Sequence, residues 1–304
     1  MLDLLTLGSI SIDLYYKGKS LTEVDGRIEL AMGGKYYVDH FYEGLGGGGA
    51  NVAIGVARAG LKSGLMSKIG DNPFKEIILS KLKAKSIEFK EFCDIKDDYI
   101  NISSVLLNSK GEKTIVNYRT GHEQILNHDD DCQKLDKAKA VYMANLSKAT
   151  ITERMKILKY AKDKEKMVFA NLNVTDCRRP LEDIMHFISV IDGLIINGHE
   201  YADIIKTPYE SIDFDSNVVE KYAPFSPEKI LVITDGRRGS YCYFENKVYR
   251  QKAVRVDNIL DTTGAGDAYT AGFIAEYLKS KDIQKAMEEG AKYAVDILGK
   301  IGAN

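Results

Sequence analysis

Short apolar runs alternate along this chain with segments long enough to form amphipathic helices. The first apolar run is 4–7, and a helix-length segment over 50–59 separates it from the next run at 64–69. A strand buried on both faces has a nearly continuous apolar sequence. Strands of this kind alternating with helices predict an α/β fold: a three-layer, doubly wound, mostly parallel sheet with helices on both faces. Further strands are predicted near 141–143, 167–172, 194–196 and 229–233, and further helices over 150–161 and 265–279.

Two stretches interrupt this alternation, and both have the character of antiparallel strands. Residues 14–45 are rich in Tyr and Gly, and residues 99–119 contain two β-like runs that flank a turn signal at 108–111. We expect these segments to form a small sheet over one end of the parallel sheet, inserted into a single domain that spans 1–304. Such a sheet would be a lid over a ligand, although the pattern is equally compatible with surface decoration.

The composition restricts the classes of partner. The chain has 42 basic and 44 acidic residues, a net charge of −2, so it has no surplus charge with which to bind nucleic acid or an anionic membrane. The apolar N-terminus lacks the basic region of a signal peptide, and the cysteines form neither a CxxC pair nor a metal-ligand pattern. We therefore expect a cytoplasmic protein with no nucleic-acid or membrane partner.

The segment DTTGAGD, from Asp261 to Asp267, leads into the last predicted helix. Its glycines permit a tight turn, and the first turn of a helix presents free N–H groups at the positive end of the helix dipole. Such a site binds anions. Asp267 could stabilise the helix start by about 0.3–1 kcal/mol, or it could accept a proton from a nucleophile that attacks a bound phosphate. The pattern favours the second interpretation by a small margin.

A second glycine-rich segment, GLGGGGAN at 44–51, runs into the first predicted helix. Its spacing satisfies the dinucleotide-binding pattern GxGxxG, but that pattern should directly follow the first strand of a βαβ unit, whereas about thirty residues intervene here. We expect the glycines to let a ligand approach the backbone closely, with Asn51 offering a donor and an acceptor to a hydroxyl-rich ligand. The P-loop pattern GxxxxGK[ST] is absent from the sequence.

These two segments resemble the signature motifs of the ribokinase-like (PfkB) family of carbohydrate kinases, the first being 46–51 with Gly70 downstream and the second 261–267. Three more segments resemble family motifs, in the family's order: GSISID at 8–13, NGHE at 197–200 and TDGRRG at 234–239. The resemblance implies a ribokinase-like fold and a kinase that transfers phosphate from ATP to a hydroxyl of a sugar.

The resemblance also implies roles for the matched residues nearest the reaction. Asp267 would be the catalytic base. The transferred phosphoryl group would be stabilised by the backbone N–H groups of Gly264, Ala265 and Gly266. The hydroxyls of the substrate would be held by Asp13, Gly46, Gly47 and Asn51.

Other matched residues would hold the nucleotide and ions. The ATP phosphates would lie against Asn197, Glu200, Thr234, Gly236 and Gly239, with Glu200 binding Mg²⁺ through water. Without the resemblance, 197–200 would be interpreted as a solvated helix start and 234–239 as a plain link from strand to turn. Asp261 and Thr263 would belong to a monovalent-cation site that takes K⁺.

The chain departs from the family pattern at positions that concern the substrate. Gly48 stands where ribokinases have Lys, and Ser11 where they have Asn, so ribose is disfavoured. The segment 117–119 resembles the Tyr-Arg element of fructokinase-like and ketodeoxygluconate kinase-like members, in which the Arg reaches the substrate. Arg119 is therefore expected to contact the acceptor, although a structural ion pair on the lid would explain it equally well.

The acceptor is accordingly expected to be a fructose-, ribose- or sugar-acid-like molecule. One alternative is a nucleoside kinase of the same fold, with the tyrosines at 15, 16, 36 and 37 stacking on a base. Another is a non-catalytic sugar-binding or regulatory homologue, against which the retention of Asp267 argues. A nicotinamide-dependent enzyme would rest on the GxGxxG spacing alone. The edge strands of a lid also invite a homodimer.

Overall fold

The computed structural model describes residues 1–96, 99–110, 112–120, 129–146, 149–221, 225–256 and 259–303. Gly111, in the predicted hairpin turn, and the C-terminal Asn304 lie outside the described residues. No helix in the described ranges is long and apolar enough to cross a membrane.

The strands of the described residues are, in chain order, β1 Leu2–Leu7, β2 Ser11–Lys17, β3 Glu23–Val24, β4 Arg27–Ile28, β5 His40–Gly46, β6 Ser63–Met66, β7 Lys68–Gly70, β8 Asp94–Lys96, β9 Asn101–Leu107, β10 Lys113–Arg119, β11 Ala138–Met143, β12 Met167–Ala170, β13 Gly193–Asn197, β14 Ile230–Thr234, β15 Ser240–Phe244 and β16 Lys247–Gln251. The α-helices are α1 Gly48–Arg58, α2 Lys75–Ala84, α3 Ile151–Asp163, α4 Val174–Cys177, α5 Leu181–Ser189, α6 Gly198–Ile205, α7 Val218–Lys221, α8 Ala265–Ser280 and α9 Ile283–Leu298. Short 3₁₀ helices span Asp129–Lys137, Tyr209–Ser211 and Gly236–Arg238.

The large sheet has eight described strands in the order β16-β15-β14-β13-β12-β11-β1-β6. The six strands from β14 to β6 are parallel, and β15 and β16 are antiparallel to their neighbours. The predicted α/β fold with a mostly parallel sheet is therefore confirmed. The chain leaves β1 toward β6 on one side and returns to β11 on the other, so the strand order reverses between β1 and β11. Ligands of open α/β sheets bind outside the carboxyl ends of the strands at such a point.

The two faces of this sheet are covered by different helices, as the three-layer prediction requires. On one face, α1, α8 and α9 bury a core with inward side chains of the strands, among them Leu4, Tyr142 and Phe169. On the other face, α3, α5 and α6 pack over a core that includes Leu5, Val141 and Val168. Successive strand residues such as Leu4 and Leu5 are thus both buried, which explains the near-continuous apolar runs.

A separate four-stranded sheet has the order β10-β9-β2-β5, and the two predicted interruptions supply nearly all of it. The interruption at 14–45 is slightly longer than expected, because β2 begins at Ser11 and β5 ends at Gly46. Asp13 is consequently on this small sheet, opposite Gly44 on one neighbour and Ser103 on the other. The small sheet therefore carries Asp13 of the GSISID segment at 8–13.

Candidate active site

Two helices cross at a point where both have small residues. A Cβ added to Gly55 of α1 would lie 2.4 Å from the Cβ of Ala271 of α8, so only glycine allows this approach. One turn earlier on each helix, Asn51 and Asp267 meet, and Asn51 Nδ2 donates to Asp267 Oδ2 at 2.8 Å. The close crossing thus joins the two signature motifs, which are 216 residues apart in sequence.

Asp267 is held in a desolvated setting at the edge of a cleft. Its burial raises the pKa of the carboxyl group, and the hydrogen bond from Asn51 opposes that rise. A side chain at Gly48 would point toward it, since an added Cβ would lie 3.5 Å from Asp267 Oδ1. A raised pKa in a cleft is the property expected of a group that exchanges protons at neutral pH.

The turn before α8 is set by its glycines. Gly264 has a φ of 76°, and an added Cβ there would lie 2.4 Å from the Cβ of Ala303 near the C-terminus. A Cβ at Gly266, by contrast, would meet no atom of the described structure within 4 Å, so the backbone is open to a ligand at that point. Because α1 and α8 both begin at this edge, two positive helix ends flank Asp267.

Asp13 lies directly against the glycine run. A Cβ added to Gly46 would lie 2.1 Å from Asp13 Oδ2. Gly47 has a φ of 91°, and a Cβ added there would collide with the carbonyl of Ser9. Ser11 Oγ donates to Asp13 Oδ1 at 2.9 Å, and the hydroxyl of Tyr15 approaches Oδ2 at 3.4 Å. Burial raises the pKa of Asp13, while the hydrogen bonds from these hydroxyls oppose the rise. The GSISID segment at 8–13 therefore packs directly against the glycine run at 46–49.

A cleft of about 360 Å³ lies outside the carboxyl ends of the strands, beside the β1–β11 switch point. It is lined by Tyr142 of β11, by Ala144 and Asn145 directly after that strand, and by Asp267 and Arg119. Arg119 Nε donates to Asn101 Oδ1 at 3.2 Å, which ties the arginine to a neighbouring strand of the small sheet. The expected site residues that line this cleft are Gly47, Arg119, Asn197, Glu200, Thr234, Gly266 and Asp267. Asp13 and Asn51 do not line this cleft, but Asp13 lies against Gly46 and Asn51 bonds to Asp267.

A larger cleft of about 860 Å³ adjoins the first, since Thr234 and Gly266 line both. Gly236 and Gly239 line it together with Tyr269, residues of α9 and the segment 251–256. Gly239 has a φ of 103°, and an added Cβ would lie 2.1 Å from the carbonyl oxygen of Gln251. The arrangement offers an apolar slot that opens onto the N-terminus of α8, which suits a planar base joined to a chain of phosphates.

Asn197 and Glu200 form the start of α6 as a capping box. Glu200 N donates to Asn197 Oδ1 and Asn197 N donates to Glu200 Oε2, both at 2.9 Å. Burial raises the pKa of Glu200, and the hydrogen bond from the Asn197 backbone opposes the rise. A solvated helix start accounts for these bonds, yet both side chains also line the Asp267 cleft. A single carboxylate there fits Mg²⁺, which usually keeps several waters and takes its remaining ligands from substrate phosphates.

The expected monovalent-cation residues have a different partner. Lys113 of β10 places its ammonium group against Asp261 Oδ1 at 2.5 Å and also contacts the hydroxyl of Thr263. Asp261 and Thr263 are the residues that were expected, with backbone carbonyls near the C-terminus, to hold K⁺. The residues of the described structure therefore do not fit a resident K⁺.

Sequence reasoning missed Lys113. The residue lies in the second lid segment, six positions before Arg119, and nothing in the local pattern distinguishes it from the other surface lysines. The signal that could have found it is the pairing register, because residues 113, 115, 117 and 119 of a strand point to one face. Arg119 was expected on the ligand side, so Lys113 belonged there too.

The chain is similar in sequence to known proteins of the expected family. The sequence profile for "pfkB family carbohydrate kinase" matches residues 1–304. A 5-dehydro-2-deoxygluconokinase of Clostridium perfringens is 27% identical over 266 residues, covering 84% of this chain and 78% of that protein. These matches confirm the resemblance, and ATP as the phosphate donor follows from it.

Solved structures of low identity confirm the ribokinase-like fold. An Arabidopsis thaliana ribokinase, solved as a complex with ribose and ATP, superposes with a TM-score of 0.79 at 20% identity, covering 99% of this chain and 94% of that one. An adenosine kinase of Sinorhizobium meliloti also gives 0.79, at 19% identity, covering 100% and 95%. A sugar kinase and a nucleoside kinase are equally similar, so the fold does not distinguish their substrates. The profile does identify the family: this chain belongs to the pfkB family of carbohydrate kinases.

Proposed function

We propose that this kinase phosphorylates a hydroxyl of a sugar acid, with Arg119 pairing to the acceptor's carboxylate and Asp267 acting as the base. The observation that carries the proposal is Arg119. It is the one cationic side chain among the described residues that line the Asp267 cleft, and a bidentate guanidinium suits a carboxylate. The first relative described above is named for a sugar-acid substrate, which supports the same acceptor class.

In the proposed reaction, the acceptor's hydroxyl lies between Asp267 and the γ-phosphate of ATP. The Asp267 carboxylate accepts the hydroxyl proton as the oxygen attacks phosphorus, and ADP leaves. The N–H groups of Gly264, Ala265 and Gly266 and the dipole of α8 stabilise the charge on the transferred group. In the proposal, Asp13, Gly46, Gly47 and Asn51 orient the acceptor's other hydroxyls.

The nucleotide occupies the larger cleft in this proposal. Thr234, Gly236 and Gly239 lie along its phosphates, and the base rests against α9. Glu200, through water, and Asn197 would hold Mg²⁺ beside the phosphates. When bound, Mg²⁺ neutralises negative charge that develops on the phosphate oxygens.

The small sheet is proposed as the lid of the site, within a single domain of 1–304. Its inner face carries Asp13 and Arg119, so closure over the acceptor would exclude water, the competing nucleophile.

The outer face of the small sheet is apolar, with Phe41, Val116 and Tyr118 more than half exposed. Such a face suits burial against a second copy, so the proposal includes a homodimer through the lid, which sedimentation over a range of concentrations would test.

The proposal also includes a cytoplasmic location, because the reaction consumes ATP. Cell fractionation would contradict it if the protein were found outside the compartment that holds the nucleotide pool.

The nucleoside-kinase alternative needs an aromatic surface for a base, and the tyrosines expected to provide one have other surroundings. The hydroxyl of Tyr15 is directed at Asp13, and the ring of Tyr16 packs on Phe41 at 5.4 Å. The hydroxyl of Tyr36 accepts a hydrogen bond from the backbone of Ala31. Neither these tyrosines nor Tyr37 line the cleft at Asp267 in the described structure. The sugar-acid proposal is therefore favoured.

The acceptor class is tested by ADP release with a panel of 2-deoxy-keto-hexonates, aldonates, fructose, ribose and adenosine. We expect the highest kcat/KM for a keto- or deoxy-hexonate. A preference of tenfold or more for adenosine or for an uncharged sugar would contradict the sugar-acid assignment, while leaving the kinase assignment in place.

Arg119→Met should lower kcat/KM for the preferred acid by about ten- to hundredfold, since it removes one charged hydrogen-bond partner of the carboxylate. The control is an uncharged sugar measured with the same variant, for which we expect little change. Arg119→Lys keeps the positive charge but loses the two-pronged guanidinium group, so its kcat/KM for the acid should lie between those of the wild type and Arg119→Met. Equal losses for charged and uncharged acceptors would assign Arg119 to lid structure through its bond to Asn101.

The raised pKa of Asp267 predicts the acid side of the pH profile. A base acts only when ionised, so kcat/KM should fall as the pH drops through a pKa above the ordinary aspartate value of 3.8. Asp13 and Glu200 also have raised pKa values, so a variant is needed to assign this fall. Asn51→Ala removes the hydrogen bond to Asp267 that opposes the rise of its pKa. The fall of kcat/KM on the acid side should therefore move to higher pH. If the acid side of the kcat/KM profile stayed at the same pH in Asn51→Ala, a group other than Asp267 would produce it.

A further inference from the structure

Lys113 reaches from the small sheet to the turn between Asp261 and Asp267. Its Nζ contacts Asp261 Oδ1 at 2.5 Å, the hydroxyl of Thr263, and the hydroxyl of Thr262 at 3.4 Å. A lysine ammonium group has three donors and no acceptor, so these three oxygens match its bonding capacity. The group is thus a cation among oxygen ligands, and the chain itself supplies it.

The setting of Asp261 requires such a cation. Its side chain is fully buried, and that of Lys113 is 21% exposed. A buried carboxylate is costly unless it is paired and hydrogen-bonded. Besides Lys113, the backbone N–H and the hydroxyl of Thr263 donate to Asp261 Oδ1 at 2.9 and 2.7 Å. Gly302 N also donates to Oδ2 at 3.3 Å, so both oxygens of the carboxylate accept hydrogen bonds.

We propose that the ammonium group of Lys113 replaces the monovalent cation at this turn, so that phosphate transfer by this chain does not depend on K⁺. A second cation at the same oxygens would lie in contact with the ammonium group, and the two like charges would repel each other. The inference rests on the proposed function of the turn, but it can fail separately, because a kinase that needed K⁺ would still be a kinase.

Lys113 is a positioning residue and does not touch the acceptor. It holds Asp261 and Thr263, and Thr263 directly precedes Gly264, where the phosphate-binding N–H groups begin. Its strand, β10, also carries Arg119, so the same strand binds the acceptor and fixes the turn. Because Lys113 belongs to β10, its contacts at the turn also join the small sheet to the phosphate-binding turn, which a free ion would not do.

The test compares the wild type with Lys113→Ala in KCl, with tetramethylammonium chloride holding the ionic strength constant. We expect wild-type kcat to be the same with and without K⁺. Without K⁺, Lys113→Ala should lose roughly ten- to hundredfold in kcat, the loss that follows removal of one partner of a charged hydrogen bond. K⁺, Rb⁺ or NH₄⁺ should restore part of it, because the vacated space and oxygens can accept a small cation.

A second readout does not use activity. The thermal unfolding midpoint of Lys113→Ala should rise with K⁺ relative to tetramethylammonium, whereas that of the wild type should not respond. The matched control is Lys110→Ala on the same hairpin, whose side chain is 70% exposed and pairs with Glu23. It should keep wild-type kcat and show no response to K⁺.

Several results would overturn the proposal. One is a wild type that K⁺ activates several-fold over tetramethylammonium. Another is a Lys113→Ala variant with wild-type kcat in the absence of K⁺. A third is a variant that neither K⁺, Rb⁺ nor NH₄⁺ restores in activity or thermal midpoint. If Lys113→Ala unfolds without K⁺, the thermal measurement still decides, because the proposal requires K⁺ to restore the folded state.

Discussion

Asp267→Asn should abolish turnover while leaving the fold and nucleotide binding nearly intact. The amide has the shape of the carboxylate and can still bond with Asn51, but it cannot accept the proton of the attacking hydroxyl. Removing a general base costs on the order of 10²–10⁴ in rate. The measurement is ADP release at saturating acceptor, together with ATP binding by calorimetry.

The control for this prediction addresses the alternative that Asp267 only stabilises the start of α8. Asp282 caps the next helix, α9, where its side chain accepts a hydrogen bond from Lys285 N. Asp282→Asn should leave kcat unchanged, because it alters the charge at a helix start away from the cleft. If Asp267→Asn kept more than about half of wild-type activity, or if both variants lost activity only in proportion to lost stability, Asp267 would not be the base.

The parts of this site that could be predicted from sequence are those that local backbone chemistry encodes. Gly264 and Gly47 have positive φ, a conformation that favours glycine, and each adjoins a helix start. Such turns leave a readable pattern in a few consecutive residues, and Asp267 and Asn51 were found because they stand next to them. The strands were found because burial on both faces makes them continuously apolar.

Elements were missed where tertiary contacts override local preference. Helix α9 contains Gly290, which usually weakens a helix, but a Cβ there would lie 2.9 Å from the carbonyl oxygen of Tyr269. The hairpin of β15 and β16 turns at Glu245 and Asn246, with φ values of 53° and 59°. A turn with two positive φ values normally shows Asn-Gly or Asp-Gly. No such pair marks it in the sequence.

Contacts between distant segments were equally hidden. Lys113 and Asp261 are 148 residues apart, and neither has a local pattern that points to the other. Their meeting depends on where the small sheet lies over the large one, which is a property of the whole fold. The structure thus changed the interpretation of Asp261 and Thr263, whereas it left that of the glycine turns unchanged.

Asp13→Ala should raise KM for the acceptor by about ten- to hundredfold while changing KM for ATP little. The Asp13 carboxylate lies beside Gly46 and does not line the nucleotide cleft, so its loss should remove a charged hydrogen bond to the acceptor alone. Such a bond is worth about 1.5–3 kcal/mol in a closed site.

The close approach of Gly46 to Asp13 supplies an independent variant for the same prediction. Gly46→Ala places a Cβ 2.1 Å from Asp13 Oδ2, so the carboxylate must move although its charge remains. If Asp13 binds the acceptor directly, both variants should raise acceptor KM, and Asp13→Asn, which keeps the position but not the charge, should give a smaller rise. If Asp13 only supports the small sheet, KM for acceptor and for ATP should rise together in all three variants, in step with a fall in the thermal unfolding midpoint. The ratio of the two KM changes therefore decides whether this buried aspartate serves the substrate or the fold.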